Sequence, residues 1–174
     1  MLCQASTLVN VANNTQAAPV PLTAEEEAFL RAFGRAMTTV PRALDADLQY
    51  EQGLSLSEYT ALMYLSEAPD RRLRMGDLAD RCALSLSGMT RIVSQLEKHG
   101  LVQRERCGSD GRGLNAVLTD AGHDRLCRAW PTHLASVRRH MIDHLHDLDL
   151  PALTAAVQRF ATGPQCASTE DEPG

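Results

Sequence analysis

Apolar side chains recur every three or four residues along most of this chain, which predicts a mainly helical protein. Thr23 and Glu26 are spaced as a capping box, so a long first helix should begin there. Pro41 falls inside that helix, where its missing amide predicts a kink or a break, and Gly53 should end it. Its apolar positions are Phe29, Phe33, Met37, Leu44 and Leu48.

Three shorter helices should follow. Ser57 is the predicted N-cap of the second helix, which ends at Pro69, and a brief third helix covers about residues 76–82. Ser85 should cap a fourth helix that stops at Gly100. Its apolar residues form one buried stripe and leave the other face free; they are Met89, Ile92, Val93 and Leu96.

Two short strands are predicted at residues 102–107 and 114–118, and residues 71–75 form a short extended segment. Residues 108–111 join the two strands and contain the Asp-Gly signal of a tight hairpin. Two helices followed by a hairpin is the order of a winged helix-turn-helix. One helix fits the major groove of DNA, the preceding helix braces it, and a basic hairpin reaches the minor groove.

Two further helices should complete the chain. Thr119 caps a fifth helix, which we expect to reach Leu145 with a bend near Pro131, and the last helix should run from Asp149 to Gly163. The predicted fold class is therefore mainly α with a small β-wing. The predicted divisions are a mobile N-terminal arm, a first helix, the winged helix-turn-helix, the C-terminal helices and an acidic disordered tail, at residues 1–22, 23–56, 57–118, 119–163 and 164–174.

The charges are unevenly placed along the 174 residues. The net charge is −5, but the stretch from Arg71 to Arg112 contains nine Arg and Lys against five Asp and Glu. A locally positive module on an acidic body can attract phosphates and orient the protein on DNA, although a solvated surface is the plainer explanation of such clustering.

Several function classes are disfavoured. No apolar run approaches the roughly 20 residues that span a bilayer, and the start lacks signal-peptide features, so we expect a cytoplasmic protein without membrane contact. Five scattered cysteines without a C-x-x-C pair argue against disulfides and a zinc knuckle. No hydrolase, phosphate-loop or metalloprotease motif is found, which argues against an enzyme, and no cofactor is expected.

The free face of the fourth helix carries small polar residues and one long cation. Gly88 allows close approach to DNA, and Ser87 and Thr90 can donate to phosphates or bases. Arg91 can bind guanine in bidentate fashion, and Gln95 can pair with adenine. The full predicted set on this face is Ser87, Gly88, Thr90, Arg91, Ser94 and Gln95.

The hairpin supplies three more cations. Arg104, Arg106 and Arg112 are spaced to flank its glycine-rich tip. Asp110 is itself repelled by phosphate, but it can hold the guanidinium of Arg112 in a fixed pose, or simply serve the turn.

With its segments in this order along the sequence, the chain resembles the MarR (multiple antibiotic resistance regulator) family over roughly residues 25–162. The segments that carry the resemblance are 56–65, 78–81, 84–91, 95–102, Asp110-x-Arg112 and Leu118-Thr119-x-x-Gly122. It implies a homodimer whose first, fifth and sixth helices intertwine, so that residues 23–56 and 119–163 are dimerisation helices. It also implies binding to a pseudo-palindromic operator in double-stranded DNA, usually to repress transcription. By position, Ser87, Thr90 and Arg91 would enter the major groove and Arg112 the minor groove.

The resemblance further implies release from DNA by a small, often aromatic or anionic effector between the dimer helices and the DNA-binding lobe. Residues of these types are more often ordinary core than ligand site, but the candidate lining residues are Tyr50, Tyr59, Tyr64, Trp130, His133 and Arg138. Three alternatives remain open. His140 and His144 share a predicted helix face and could bind zinc, Cys107 could sense oxidants, or the winged helix could serve only protein interaction.

Overall fold

The computed structural model describes residues 20–106 and 113–161, and in these ranges it forms six α-helices and three β-strands. The helices are α1 (Ala24–Gln52), α2 (Leu56–Glu67), α3 (Met75–Arg81), α4 (Leu86–Lys98), α5 (Asp120–His140) and α6 (Leu150–Ala161). The strands are β1 (Arg72–Arg74), β2 (Val102–Arg106) and β3 (Leu114–Leu118). The predicted fold class, mainly helical with a small β-wing, is confirmed.

The ends of α1 follow their sequence signals. The Thr23 amide donates to the Glu26 carboxylate at 2.8 Å and the Glu26 amide donates to the Thr23 hydroxyl at 3.2 Å, which confirms the capping box. Gly53 has φ +58° and ends the helix as predicted. Pro41 does not divide α1; it is exposed, so the carbonyl that it leaves without an amide partner can bind water. Described residues through Arg35 form one compact unit, and those from Ala36 form a second.

The predicted N-cap of α2 was wrong by two residues. Ser55, not Ser57, caps the helix, because its hydroxyl accepts from the Glu58 amide while the Glu58 carboxylate accepts from the Ser55 amide. The Leu56 amide donates to Asp45 of α1 at 2.8 Å, which satisfies a further free donor of the first turn. The Ser-x-x-Glu pattern at 55–58 was the available sequence signal, and Ser57 lacks it.

The sheet has three strands, in the order β1-β3-β2, with both pairs antiparallel. The predicted extended segment is therefore a paired strand, in which Leu73 lies opposite Ala116. Both residues are buried, so the sheet is anchored in the core beneath the hairpin. The core joins side chains of α1 to α5 and the sheet; its fully buried large members include Leu48, Leu62, Leu65, Leu78, Met89, Val93, Leu96 and Val102.

The C-terminal half departs from prediction at one point. Helix α5 is capped by Thr119 as expected and continues through Pro131, but it ends at His140 rather than at Leu145. Met141 adopts a non-helical conformation and a 3-10 turn follows at Ile142–His144. The basic last turn of α5 suits a helix C-terminus, because cations stabilise the carbonyl end of the helix.

Candidate nucleic-acid interface

Helix α4 presents one buried and one exposed face. Met89, Val93 and Leu96 are fully buried in the core, and the helix begins where the Ser85 hydroxyl accepts from the Gly88 amide at 3.1 Å. Both the apolar stripe and the Ser85 cap are as predicted. The amphipathic pattern thus holds the first turns of α4 with their polar side toward solvent.

The polar residues predicted for this face of α4 differ in their exposure to solvent. Ser87, Thr90, Arg91 and Gln95 are exposed, whereas Gly88 and Ser94 are partly buried. Within residues 20–106 and 113–161, Arg91 forms no ion pair, so its guanidinium is available to a partner molecule. A Cβ on Gly88 would lie 3.2 Å from the Ser85 hydroxyl, which explains why glycine suits the first turn.

Several of these polar groups already have partners inside the protein. The Thr90 hydroxyl donates to the Leu86 carbonyl at 2.8 Å, and the Ser94 hydroxyl donates to the Thr90 carbonyl at 2.8 Å. The Gln95 amide nitrogen lies 3.3 Å from Nε2 of His99. The Thr90 hydroxyl, which we expected to donate, uses its proton within the helix and has only acceptor capacity left.

The cations of the hairpin also separate into two kinds. Arg104 was expected to flank the hairpin tip, but its guanidinium lies on α4, 2.9 Å from the Thr90 carbonyl oxygen. Arg106 ends β2 and is exposed. Asp110 and Arg112, together with Cys107, lie outside the described residues.

Sequence reasoning missed an apolar contribution to this surface. Leu86, the first residue of α4, is 57 % exposed, and Leu114 of β3 is 44 % exposed. Together with Thr90 and Arg104 they line a small cavity of about 240 Å³ beside the start of the helix. The available signal was that Leu86 precedes the buried stripe and lies in the first turn, where the core does not extend.

The predicted effector residues are only partly brought together. The rings of Tyr59 and His133 stack with centroids 4.3 Å apart, and the Trp130 ring lies 6.3 Å from that of His133. Tyr64 is partly buried and packs against the core. Tyr50 is 91 % exposed, and Arg138 pairs with Asp143 at 3.2 Å, so neither is shown in a pocket with the others.

Two buried polar atoms at the Tyr59–His133 stack have no hydrogen-bond partner in the described part of the chain: the Tyr59 hydroxyl and Nδ1 of His133. Burial, with a smaller effect of the Glu67 carboxylate, raises the pKa of Tyr59 to about 12. Burial also lowers the pKa of His133. Both side chains are therefore neutral at pH 7, and each retains an unused donor or acceptor.

The unpartnered hydroxyl leads to a prediction about stability. Tyr59→Phe keeps the ring stack and removes a buried polar atom, so we expect the free energy of unfolding to rise by about 1 kcal/mol. The measurement is urea unfolding at a fixed protein concentration, with Tyr50→Phe as the control, because the exposed Tyr50 should show no change. A loss of stability in Tyr59→Phe would mean that the hydroxyl has a partner.

The zinc candidate is not supported by the local geometry, whereas the thiol candidate, Cys107, lies outside the described residues. Nε2 of His140 lies 3.0 Å from Asp47, whereas His144 belongs to the 3-10 turn beyond α5, so the two histidines do not share a helix face as predicted. Residues 20–106 and 113–161 contain no group of three or more His, Cys, Asp or Glu suited to a metal. Of the described thiols, Cys127 is exposed, and burial raises the pKa of the Cys82 thiol.

Hydrogen bonds with Ser136 and His140, together with Arg139, lower the pKa of Asp47 despite the opposing effect of its partial burial. This carboxylate of α1 contacts three residues within about one turn at the C-terminal end of α5. It therefore has a structural role between the two helices.

Nowhere in the described ranges is a helix both long and apolar enough to cross a membrane.

Comparisons with known proteins point to one family. A sequence model described as "MarR family" matches residues 52–113. The chain is similar to Sco3205 of Streptomyces coelicolor, a MarR family transcriptional regulator solved in complex with DNA, with 38% identity and a TM-score of 0.79, covering 86% of this chain and 94% of that one. It is likewise similar to AbsC of the same organism, a MarR family transcriptional regulator, with 38% identity and a TM-score of 0.75, covering 83% of this chain and 97% of that one.

A curated relative adds a named activity. The chain is 31% identical over 86 residues to the HTH-type transcriptional repressor YetL of Bacillus subtilis. That match covers 49% of this chain and 52% of the repressor, so it spans about half the length of that relative.

Proposed function

Because this chain belongs to the MarR family of transcriptional regulators, we propose that it binds a two-fold symmetric operator as a homodimer and represses transcription. It is a DNA-binding regulator and not an enzyme. The observation that carries the proposal is the solvent-exposed start of α4, where Arg91 forms no ion pair in the described ranges. Repression is the activity named for the curated relative YetL. We expect action in the cytoplasm, where the sequence predicts the protein to lie.

On DNA, α4 is the proposed recognition helix in the major groove. Arg91 would bind a guanine through two hydrogen bonds, and Thr90 would accept a hydrogen bond from an adenine or cytosine amino group. The exposed Leu86 side chain suits contact with a thymine methyl group. Arg106 would approach the neighbouring minor groove, as the family resemblance implies for Arg112.

The proposed dimer rests on apolar surface at both ends of the chain. In the first unit Phe29 and Leu30 of α1 are 62 % and 57 % exposed, and in the second unit Leu150 and Val157 of α6 are 42 % and 37 % exposed. Repeated large apolar side chains on helices are a feature of protein interfaces rather than of isolated surfaces. A second copy of the chain is the occupant that the family resemblance implies, and two copies can contact two half-sites.

This interface can be tested on α6. Val157→Glu places a charge on the apolar face, so we expect the dimer to dissociate at least tenfold more readily and operator affinity to fall with it. The measurement is molar mass by light scattering over a dilution series. Ala155→Glu is the matched control, because residue 155 is exposed and lies about 160° around the helix from residue 157. Equal molar mass in both variants would remove α6 from the interface.

The proposed effector site centres on the Tyr59–His133 stack. Their two unpartnered polar atoms would hydrogen-bond a small aromatic or anionic effector, and Trp130 would provide an adjoining ring. Tyr59 lies on α2 within the DNA-binding domain and His133 lies on α5. An effector that contacts both residues would therefore change the relation between that domain and the C-terminal helices, and so release the operator.

The deciding experiment is selection of genomic fragments by the purified protein, followed by mobility shift at two salt concentrations. We expect a symmetric site with half-sites about one helical turn apart and an affinity that falls with salt. A reporter behind that site should be more active when the regulator is deleted. Weak retention of all fragments, without sequence preference, would instead favour a protein-interaction module on a winged-helix scaffold.

A further inference from the structure

Arg104 lies in the middle of β2, and its guanidinium turns onto the side of α4. One terminal nitrogen donates to the Thr90 carbonyl at 2.9 Å and to the Ser94 hydroxyl at 2.5 Å. The other lies 3.5 Å from the Glu97 carboxylate. We propose that Arg104 is a positioning residue that holds the wing strand against the recognition helix, and that it does not contact DNA. This inference rests on the proposed function of α4.

The position of these contacts along α4 explains what they can fix. A connection of three residues joins the end of α4 to the start of β2, and Gly100 in that connection has φ +69°. A connection this short determines where the strand begins, and pairing with β3 orients the strand within the sheet. Thr90 lies eight residues before Lys98, which is about 12 Å along the helix axis. A direct attachment of the strand to the helix at that distance adds a second constraint on the angle between them.

The contacts of Arg104 also use the hydrogen-bonding capacity of Ser94. The Ser94 hydroxyl donates its proton to the Thr90 carbonyl and accepts from Arg104, so it has no proton left for a base or a phosphate. We call Arg104, Thr90, Ser94 and Glu97 the Arg104 clamp. Ser94 was predicted from sequence to contact DNA; the inference assigns it to the clamp instead.

Arg104 and Arg106 of β2 differ in how far their charges are available to DNA. Only 24 % of the Arg104 side chain is exposed, and the Glu97 carboxylate opposes its charge, so its attraction for phosphate is weak. Arg106 lies two residues further along β2 and is exposed at the strand end. Because alternate residues of a strand share a face, the two arginines form a matched pair in which one is bound internally and the other is available to DNA.

A fixed angle between helix and wing has a consequence for specific binding. Sequence-specific binding requires α4 in the major groove and the wing in the minor groove at the same time, whereas non-specific binding does not. Without the clamp, ordering the wing would cost conformational entropy during binding. The clamp therefore contributes to specific affinity and little to non-specific affinity.

The test compares Arg104→Ala with Arg106→Ala on the selected operator and on an unrelated duplex over a range of salt. Arg104→Ala should lower operator affinity about tenfold, with non-specific affinity and the salt slope nearly unchanged. Arg106→Ala should lower both affinities and flatten the slope by about one unit per protomer. An Arg104→Ala variant that flattened the slope in the same way would show that Arg104 contacts phosphate and would overturn the inference. Unchanged operator affinity would also overturn it.

Two further variants separate positioning from charge and from folding. Arg104→Lys keeps the charge but not the forked donors, so it should behave like Arg104→Ala if geometry matters. Wild-type behaviour of Arg104→Lys would assign the effect to charge and contradict the clamp. Ser94→Ala should weaken operator binding without adding to Arg104→Ala, yet add fully to Arg106→Ala. Failure of the wild-type protein to bind any operator would refute the proposed function instead.

Discussion

Gly122→Ala should destabilise this protein by about 3 kcal/mol, because a methyl group at this position has no space. The added Cβ would overlap the Leu101 carbonyl oxygen and lie 2.7 Å from Cδ1 of Leu118. The carbonyl cannot move away, since it accepts a hydrogen bond from the Thr119 amide at 3.1 Å. The Thr119 hydroxyl in turn donates to Gly100, so the first turn of α5 is held tightly against the connection between α4 and β2.

The measurement is urea unfolding at fixed protein concentration, with Gly76→Ala as the matched control. A Cβ on Gly76 would have nothing within 4 Å, and Gly76 is exposed within α3, so this variant should gain about 0.5 kcal/mol from helix propensity. Equal stability of the two variants would mean that α5 does not pack against residue 101 in solution. The expected difference also explains physically why the Leu-Thr-x-x-Gly segment, recognised from sequence, requires its glycine.

Arg91→Ala should reduce the ratio of operator affinity to non-specific affinity about tenfold per half-site, and about a hundredfold for a symmetric operator. The exposed guanidinium has no ion-pair partner in the described ranges, so its loss removes a base contact without breaking an internal network. The variant should also tolerate replacement of the guanine that Arg91 contacts, whereas the wild-type protein should not. Competition titrations against operator variants measure both effects.

Lys98→Ala is the matched control for this substitution. Lys98 is exposed on the same helix, seven residues and about 10 Å further along its axis, at the end away from the exposed first turn. Its loss removes a charge but no base contact, so the affinity ratio should be unchanged. Retention of the wild-type ratio by Arg91→Ala would refute the assignment of α4 as the recognition helix.

Local signals predicted the helix ends well where one side chain decides them. Thr23, Ser85 and Thr119 cap their helices as expected, and Gly53 ends α1, because capping depends on residues no more than four positions apart. The N-cap of α2 was misplaced although its capping-box signal was present. The end of α5 was also misplaced, since apolar residues continue beyond His140 and periodicity alone does not mark a stop.

Contacts between residues that are far apart in the sequence could not be predicted from these local signals. Strand β1 has three residues and no pattern of its own, and it is a strand only because it pairs with β3 more than forty positions away. The Tyr59–His133 stack likewise joins α2 to α5. Neither residue carries a sequence signal for the other, so their shared burial and their unpartnered polar atoms are visible only in the fold.

The sequence by itself determined the order of the helices and strands, the buried stripe of α4 and the family resemblance, because periodicity, caps and motif spacing are properties of neighbouring residues. Only the tertiary structure decided which polar residues remain available for a partner. Arg91 and Arg104 are the same residue type. In the structure, however, Arg91 is exposed, whereas Arg104 is bound to Thr90, Ser94 and Glu97. The physical reason is that a guanidinium binds whichever acceptors the fold brings within hydrogen-bond distance, and those acceptors come from another element of the chain.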